Sequence, residues 1–516
     1  MARWTSLLAD AGAEDPALWP RPSDPNSVTI ASLHEMISGI GVTPVEAVLV
    51  VGALALVSAR WLPPRFRRRV AIGAAAVSSA SAAVLPVVGL RWQLVPVLVA
   101  VAVALPIAAR TMMGKPDGRR IRWWLAGPGS AAGVLAIVAG VGAAIAFPIP
   151  DFPTPTGEYA VGTTVVEWTD PDRPETWTTD PDDVRAVQAQ IWYPAEASPD
   201  EVERAPYLGR SEAEANAVAE GVGDFLGIPR FLFDGQVVAR TNAVPEPPVA
   251  SGDERFPVVL FSPGGGMGRT TNTAWAEELA SHGYVVAALD HPYDSTAVVF
   301  ADGRTVRRAE HSVSSEAEAF RLSEELAAVK AGDLRSALTH LGRLDNGEVG
   351  SVLAGRLDTG RAAVVGMSAG VGGAFQAARS DERFSAVVAL DGRPYDAHPG
   401  PYDQPALALT SQIGLEDNPT YLPHLAGALE RTTTTGYMLT IPGTAHPTFT
   451  DAPLWMPPVP SLVGSLGRTE GNRIITEVTI GFLDAELRDR PTDLPVLFSE
   501  HGELSVHDAG GWRWHT

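Results

Sequence analysis

The sequence predicts two parts: an all-α unit of four membrane-spanning helices, followed by an α/β domain with a doubly wound, mostly parallel sheet. Four apolar segments fill most of residues 39–147, and each is close to the roughly 20 residues that cross a bilayer. From residue 256 onward, short apolar runs alternate with helical stretches, the pattern of a parallel sheet covered by helices. A chain of 516 residues is also too long for one ordinary domain.

Charge is divided unevenly between these two parts. Residues 1–150 hold 13 Lys and Arg against 7 Asp and Glu, a net charge of +6. The rest of the chain therefore holds 26 basic residues (39 less 13) and 53 acidic residues (60 less 7), a net charge of −27. Because phosphate binding needs a basic surface, we expect no nucleic-acid partner. The chain has no cysteine, which excludes disulfides, thiolate metal sites and a cysteine nucleophile.

The four apolar segments cover residues 39–59, 70–90, 93–109 and 123–147. They are rich in the small residues that let membrane helices pack closely, and they lack the polar face that a helix of a soluble domain needs. Tryptophans stand at their ends, where interfacial aromatic residues belong: Trp61, Trp92, Trp123 and Trp124. Glu46 lies near the end of the first segment, and we interpret it as reaching the membrane interface.

Basic residues between the segments predict the orientation of this unit. The first and third connections are basic, whereas the N-terminal tail (1–38) has two arginines and the second connection has one. The basic residues are Arg60, Arg65, Arg67, Arg68 and Arg69 in the first connection and Arg110, Lys115, Arg119, Arg120 and Arg122 in the third. Since positively charged loops stay in the cytoplasm, we expect a multi-pass protein of the cytoplasmic membrane, with its tail and its C-terminal domain outside.

A proline-rich stretch at residues 148–157 is typical of a semi-rigid linker between the two parts. We predict that the α/β domain covers residues 158–500 and that residues 501–516 form a polar tail. Residues 184–193 alternate as a half-exposed strand does. Residues 195–255 are loop-rich and acidic, with a helix at 211–221, and their position suggests a cap over the site.

Six apolar runs predict buried parallel strands, at residues 258–261, 284–289, 362–365, 386–390, 406–409 and 437–441. Helices are predicted at residues 272–281, 314–344, 369–379 and 472–487. In a doubly wound sheet, binding and catalytic sites form at the carboxyl ends of the strands. Candidate residues that directly follow a predicted strand therefore carry the most weight.

The strongest such candidate is Ser368, in the pentapeptide G-M-S-A-G at residues 366–370. An apolar run precedes it and a helix of small residues follows, which is the context of a nucleophile elbow. The flanking glycines, Gly366 and Gly370, let the strand and the helix approach each other. The helix N-terminus behind the serine also offers backbone N–H groups to an oxyanion.

A serine nucleophile needs a base, and an acid that orients the base. His446 follows the last predicted strand by the short loop I-P-G-T-A-H, and we predict that it is the base. Two residues compete as the acid: Asp391 ends the strand at 386–390, and Asp417 follows the next strand. The chain order Ser, Asp, His fits both of them.

We expect several other histidines to have roles outside the triad. We interpret His282 as a helix C-cap and His291, which follows a strand but precedes the serine, as lining the pocket. Three more lie in the predicted polar tail and are expected to be solvated: His501, His507 and His515.

An oxyanion hole is expected from two backbone N–H groups, that of Ala369 after the nucleophile and one from a loop after an early strand. The stretch F-S-P-G-G-G-M-G at residues 261–268 fits the second role, and we select Gly265 as its donor. A phosphate-binding loop is excluded because this stretch lacks the P-loop lysine and the G-x-G-x-x-G spacing.

These motifs together resemble the plasma and type II intracellular platelet-activating factor acetylhydrolases over roughly residues 184–490. The motifs are Q-I-W-Y-P at 190–194, G-G at 264–265, L-A-S-H-G-Y-V-V-A-A at 279–288, G-M-S-A-G at 366–370, A-L-D at 389–391 and G-T-A-H at 443–446. The resemblance implies the α/β-hydrolase fold and a Ser-His-Asp triad. In that family the acid follows the strand just after the nucleophile helix, which favours Asp391 over Asp417. The spacings fit as well, with 23 residues from Ser368 to Asp391 and 55 from Asp391 to His446.

The chain also departs from that family. The family usually has His-Gly in the oxyanion loop, where this chain has Pro263-Gly264. Four membrane segments are not part of the family's usual body. Relatives of the family include bacterial lipases and cutinase-like enzymes that cleave polyesters.

The expected function is that of a membrane-anchored serine esterase acting on short or oxidised acyl esters, including the sn-2 acetyl group of phospholipids. No metal or organic cofactor is implied, and the expected partner is a lipid or small ester substrate. A lipase, a cutinase-like polyesterase or an acyltransferase would use the same triad. A different class, a non-catalytic membrane receptor or sensor, would leave the three triad positions without a use.

Overall fold

The computed structural model describes residues 44–88, 90–113, 123–196, 202–395, 400–415 and 420–515. The predicted N-terminal tail, the basic residues 115–122 and Asp417 lie outside the described residues. Within them the chain forms two compact units, which divide between Ile149 and Pro150. We describe each unit by itself.

The first unit consists, within the described residues, of four helices: α1 (Pro44–Ser58), α2 (Pro64–Val88), α3 (Val95–Met113) and α4 (Trp123–Ala146). Three of them include a segment long and apolar enough to cross a membrane, over Pro64–Pro86, Trp92–Arg110 and Gly127–Ala146. Helix α1 is described over 15 residues, and residues 39–43 of the predicted first segment lie outside the description. Membrane insertion itself stays a prediction.

Two details of this unit were not evident from the sequence. Glu46 is buried and pairs with Arg91 at 3.3 Å, joining the start of α1 to the turn before α3, while its place at a membrane interface stays a prediction. Helix α2 begins at Pro64, so the arginines at 65 and 67–69 belong to its first two turns rather than to a loop. The ion pair offsets the charge of Arg91, the one basic residue predicted in the second connection.

The second unit is built on one large sheet. Its strands are β1 (Ala160–Pro174), β2 (Val184–Ala195), β3 (Val244–Pro245), β4 (Phe256–Ser262), β5 (Val285–Asp290), β8 (Leu357–Met367), β9 (Phe384–Leu390), β10 (Ala406–Ile413), β11 (Gly436–Ala445), β12 (Glu503–Asp508) and β13 (Gly511–His515). A separate hairpin pairs β6 (Ala297–Val299) with β7 (Thr305–Arg307). The sheet order is β13-β12-β11-β10-β9-β8-β4-β5-β2-β1-β3. The six strands from β11 to β5 are parallel, as predicted, and β2 and β12 flank them in antiparallel pairing.

Helices cover both faces of this sheet. They are α5 (Glu212–Leu226), α6 (Asp234–Val238), α7 (Thr273–Ser281), α8 (Glu316–Asp345), α9 (Gly370–Ser380), α10 (Tyr421–Leu429), α11 (Pro460–Val463), α12 (Glu470–Arg488) and α13 (Leu494–Ser499). Successive strand residues alternate between two buried clusters: Leu260 packs with α8 and α9, whereas Val259 and Phe261 pack with α7 and α12. Burial on both faces explains why the central strands read as continuous apolar runs.

Three predicted features of this unit are corrected by the structure. Residues 501–516 were predicted as a polar tail, yet β12 and β13 extend the sheet there. Strand β2 is buried over almost its whole length rather than half exposed, because β1 and β5 cover it on both edges and helices cover its faces. The end of the proline-rich linker lies on the domain, where Phe152 packs on Tyr207 and the Thr156 amide donates to Glu278 at 2.9 Å.

Candidate active site

Ser368 stands on a sharp turn between β8 and α9. Strand β8 ends at Met367, helix α9 begins at Gly370, and Ser368 itself has a left-handed backbone with φ of +52°. Its amide donates to the Leu390 carbonyl at 3.0 Å, and its own carbonyl accepts from the Val371 amide at 3.1 Å. A strained residue held by surrounding hydrogen bonds is common at functional sites. The side chain is only partly buried, so it is open to a ligand.

The glycines around Ser368 are required by close backbone approaches. A Cβ on Gly366 would overlap the Gly370 carbonyl, and a Cβ on Gly370 would overlap the Ser262 carbonyl of neighbouring β4. The steric argument made from the pentapeptide therefore holds at both positions. Gly392, which the sequence did not single out, has the same role, because a Cβ there would overlap the Ser368 carbonyl.

Replacement of Gly370 by alanine is expected to destabilise the domain by about 1–3 kcal/mol and to lower activity about 100-fold. The added methyl group must displace either β4 or the elbow, and small displacements of a reacting group are costly. Gly427 in α10 is the matched control, because a Cβ there meets nothing within 4 Å. Gly427→Ala should instead gain about 0.5–1 kcal/mol from helix propensity. Thermal unfolding and ester hydrolysis measured on both variants check this pair of outcomes.

His446 and Asp391 lie beside Ser368 in a continuous hydrogen-bonded row. The Ser368 hydroxyl lies 3.1 Å from Nε2 of His446, and Nδ1 of His446 lies 2.6 Å from Oδ2 of Asp391. Asp391 directly follows β9, and His446 directly follows β11, so three strands of one sheet bring the row together at their carboxyl ends. The structure thus brings together all three side chains that the sequence proposed as a triad.

The second oxygen of Asp391 is held by groups that the sequence did not reveal. Oδ1 accepts from the Ser411 amide at 2.8 Å and from the Tyr421 hydroxyl at 3.2 Å. The carboxylate is almost fully buried, whereas the His446 side chain is 43% exposed. These bonds fix the carboxylate in one orientation toward the imidazole. Tyr421 lies 30 residues from Asp391 in the chain, so no local pattern could have identified this contact.

The electrostatics of the pair favour a charged imidazole beside a charged carboxylate. Burial opposes charge on Asp391, but the hydrogen bonds and the charge of His446 outweigh it and hold the pKa of Asp391 below its usual range. Partial burial also opposes charge on His446, but the hydrogen bond and the charge of Asp391 raise the pKa of His446 above its ordinary value. An imidazole of raised basicity is suited to accept a proton from a serine hydroxyl.

This pKa shift predicts the acid limb of the pH–rate profile. His446 must be neutral to accept the proton, so kcat/KM should fall as the pH drops through its raised pKa, with an apparent value above about 6.5. A pH profile of p-nitrophenyl acetate hydrolysis measures this limb. In the residual activity of an Asp391→Asn variant the limb should move to lower pH, and an unmoved limb would contradict this assignment.

The two predicted oxyanion donors lie side by side next to Ser368. A Cβ built on Gly265 would lie 3.5 Å from that of Ala369, and a Cβ on Gly264 would lie 3.2 Å from that of Ser368. Within the described part of the chain, neither the Gly265 amide nor the Ala369 amide donates to another protein group. Two adjacent free donors beside a nucleophile are the arrangement that binds a developing oxyanion.

Among the described side chains, the other histidines considered in the sequence analysis are not hydrogen-bonded to Ser368 or Asp391. His282 caps α7 and pairs with Glu278 at 3.1 Å. His291 does not line a pocket but is fully buried. His501 lies 3.5 Å from Glu477, and His507 stands on β12 against Trp512. The C-cap role of His282 is as predicted, whereas His501 and His507 are not solvated in the way a free tail would allow.

The predicted cap segment lies against the oxyanion loop. The Phe225 ring, near the end of α5, packs directly on Gly266. Three further apolar side chains that follow it are more than a third exposed: Leu226, Ile228 and Phe231. Phe225 therefore places an apolar ring against the oxyanion loop, at the start of a partly exposed apolar stretch.

Comparison with known proteins decides the family. The family model described as "Platelet-activating factor acetylhydrolase, isoform II" matches residues 144–492 of the 516. The chain belongs to this family. The match covers the α/β unit up to the end of α12, including Ser368, Asp391 and His446, but not α13, β12 and β13, and not helices α1 to α3.

Relatives and solved structures agree with this family. A platelet-activating factor acetylhydrolase of Cavia porcellus is 30% identical over 193 residues, which are 33% of this chain and 42% of the relative. That of Gallus gallus is 27% identical over 271 residues, 45% of this chain and 62% of the relative. The chain thus spans less than two thirds of either relative. A ferulic acid esterase from Streptomyces cinnamoneus is similar in structure, with 27% identity and a TM-score of 0.54, over 67% of this chain and 95% of the esterase. The sheet and its covering helices fit the α/β-hydrolase fold.

Proposed function

We propose that this protein is a serine hydrolase of carboxylic esters, with Ser368, His446 and Asp391 as its catalytic triad. The observation that carries the proposal is the continuous row from Ser368 Oγ through the imidazole to Asp391, next to two free backbone amides. Membership of the acetylhydrolase family and the esterase neighbour support the same reaction class.

In this mechanism His446 Nε2 takes the hydroxyl proton as Ser368 Oγ attacks the ester carbonyl carbon. The carbonyl oxygen becomes an oxyanion and accepts hydrogen bonds from the amides of Gly265 and Ala369. In comparable enzymes one such donor stabilises the transition state by about 3 kcal/mol. Asp391 holds the tautomer with a proton on Nδ1 and stabilises the imidazolium. His446 then protonates the leaving alkoxide, which departs as the alcohol and leaves an acyl-enzyme.

Water completes the reaction by the same route. His446 takes a proton from water, the hydroxide attacks the acyl carbonyl, and the second tetrahedral intermediate collapses. Ser368 Oγ recovers its proton from the imidazolium and the carboxylic acid leaves. Every proton that His446 accepts is returned within the cycle, so no further reactant is needed.

The substrates that we propose are short or oxidised acyl esters, including the sn-2 acetyl group of a phospholipid. The names of the relatives support this class, since one is an acetylhydrolase and another is described as a probable 1-alkyl-2-acetylglycerophosphocholine esterase. The apolar Phe225 ring against the oxyanion loop, with exposed apolar residues directly after it in the chain, suits a lipid substrate. Proline at position 263, where the family usually has histidine, is a departure within the oxyanion loop itself.

We further propose that helices α1 to α4 anchor the chain in the cytoplasmic membrane, with the hydrolase domain outside. Three apolar segments of sufficient length and the basic cluster at residues 60–69 support this arrangement. At the helix ends away from this basic cluster, Glu46 neutralises Arg91, so the positive charge is concentrated on the side of residues 60–69. An anchor of this kind would keep the domain close to lipid esters.

The full-length chain in detergent micelles tests the substrate class. p-Nitrophenyl esters of increasing acyl length, a 2-acetyl phospholipid and methyl ferulate are offered to the wild type and to Ser368→Ala. The proposal expects hydrolysis of short acyl esters and of the phospholipid, lost in the variant. Preference for long acyl chains would assign it to the lipases. Ester products formed with an added alcohol would indicate acyl transfer, and no turnover at all would favour a sensor.

A further inference from the structure

A second Ser-His-Asp row lies beneath the oxyanion loop. The Ser262 hydroxyl is 3.0 Å from Nε2 of His291, and Nδ1 of His291 is 2.8 Å from Oδ2 of Asp333. All three side chains are completely buried. No ester can reach Ser262, so this row is not a second nucleophilic site.

The row leads directly to the loop that carries Gly265. Ser262 is the last residue of β4, and the oxyanion loop starts at Pro263. Lys330, one turn before Asp333 on α8, is also buried, and its Nζ donates to the Pro263 carbonyl at 3.1 Å. Lys330 is balanced by Asp294 at 2.7 Å. Two residues on one face of α8 therefore hold this stretch of chain. Lys330 binds the Pro263 carbonyl directly, and Asp333 holds Ser262 through His291.

Asp333 is held by strong charged partners. Its two oxygens accept from Nε and Nη2 of Arg185 at 3.0 and 2.7 Å, and Arg173 approaches at 2.9 Å. Burial opposes the charge of Asp333, but the charge of Arg185 and the hydrogen bonds from His291 and Arg185 keep the pKa of Asp333 far below its usual range. Burial and the charge of Lys330 lower the pKa of His291. A neutral His291 beside an ionised Asp333 must donate from Nδ1, so its Nε2 accepts a hydrogen bond from the Ser262 hydroxyl.

Helix α8 also supports the other half of the oxyanion hole. A Cβ on Gly373 of α9 would lie 2.6 Å from the Lys330 Cβ, so α9 rests on α8 at Lys330. Ala369 is the residue just before α9. The same helix α8 thus contacts both the loop that carries Gly265 and the helix that follows Ala369.

We propose that Ser262, His291 and Lys330 are positioning residues that hold the Gly265 amide in place opposite that of Ala369. Their role is to set the stabilisation of the oxyanion, not to touch the substrate. This inference rests on the proposed hydrolase function. It assigns to the buried row an effect on the rate of the chemical step.

Two changes in the full-length chain test the proposal: Ser262→Ala, and the double change Lys330→Met with Asp294→Asn, which removes both charges of the pair together. Each is expected to lower kcat for p-nitrophenyl acetate about 10- to 100-fold and to leave KM within about twofold. The reason is that a misplaced oxyanion donor stabilises the transition state less, whereas it does not contribute to binding of the ester in its ground state. Phenylboronic acid, whose serine adduct places an oxygen in the oxyanion site, should lose affinity by a similar factor.

Tyr193→Phe is the matched control. Its hydroxyl donates to the Pro247 carbonyl at 2.8 Å in an equally buried place, so the variant also loses one buried hydrogen bond. Because Trp192 pairs with Val286 near the start of β5, whereas Phe261 pairs with Ala288 near its end, Tyr193 lies toward the opposite end of the strands from Ser262. Its kcat should equal that of the wild type even where its melting temperature falls.

The outcomes separate this proposal from the function on which it rests. If the wild type hydrolyses the ester, Ser368→Ala does not, and kcat of Ser262→Ala stays within twofold of wild type, the positioning role is overturned. A fall in melting temperature without any change in kcat or in boronate affinity overturns it as well. Absence of turnover by the wild type would instead overturn the proposed function.

Discussion

Replacement of Ser368 by alanine is expected to lower kcat for ester hydrolysis by roughly 10⁶-fold, while the melting temperature stays close to that of the wild type. The side chain is partly exposed and its removal leaves no buried group unsatisfied, so the fold does not depend on it. Loss of a triad nucleophile removes covalent catalysis and leaves only what the oxyanion site and binding supply. Initial rates on p-nitrophenyl acetate, together with thermal unfolding, measure both quantities.

Ser262→Ala serves as the internal comparison for this change. It also removes one serine hydroxyl bonded to a histidine, but it leaves the nucleophile in place. Its activity should fall about 100-fold at most and therefore stay far above that of Ser368→Ala. Wild-type turnover by Ser368→Ala would show that another group is the nucleophile.

The second large effect is expected at Asp391, where replacement by asparagine should lower kcat about 10⁴-fold. Asparagine keeps the shape of the side chain, but its amide does not hold the imidazole in the tautomer that accepts the serine proton. Oδ2 of Asp391 is the atom that faces Nδ1 of His446, at 2.6 Å. Rates measured between pH 6 and 9 separate this loss from a simple shift of the pH profile.

Asp417→Asn is the matched change, because Asp417 was the rival acid in the sequence. Its activity should remain within about threefold of the wild type, since the Nδ1 position of His446 is already filled by Asp391. If Asp417→Asn lost 10⁴-fold and Asp391→Asn did not, the assignment of the acid would be reversed.

The elbow and the central strands could be predicted from the sequence because their causes are local. Burial on both faces makes a strand apolar throughout, and the close approach at Gly366 and Gly370 demands glycine at those positions. A strand, the turn and a helix then follow one another within about 20 residues. The same reasoning placed His446 and Asp391 at strand ends.

What could not be predicted depends on pairing across long stretches of chain. Arg185 reads as an exposed position of an alternating strand, yet it is buried because Asp333 lies beside it, 148 residues away. Strand β12 is polar at every second residue, and only its pairing with β11 identifies it as part of the sheet. His291 gave no local sign that Ser262 and Asp333 would enclose it.

The helical unit shows the same limit. Length and apolar composition predicted its segments, and three of them are helices of sufficient length. The partner of Glu46 could not be found from its own segment, because Arg91 lies 45 residues further along the chain.

The central claim, that Ser368 is an activated nucleophile, is tested most directly by covalent labelling. The full-length chain in detergent is treated with a fluorophosphonate, digested and mapped by mass spectrometry. We expect one adduct, on Ser368, with labelling abolished in Ser368→Ala and strongly slowed in a His446→Gln variant. Absence of labelling in the wild type, or an adduct on a different serine, would contradict the account.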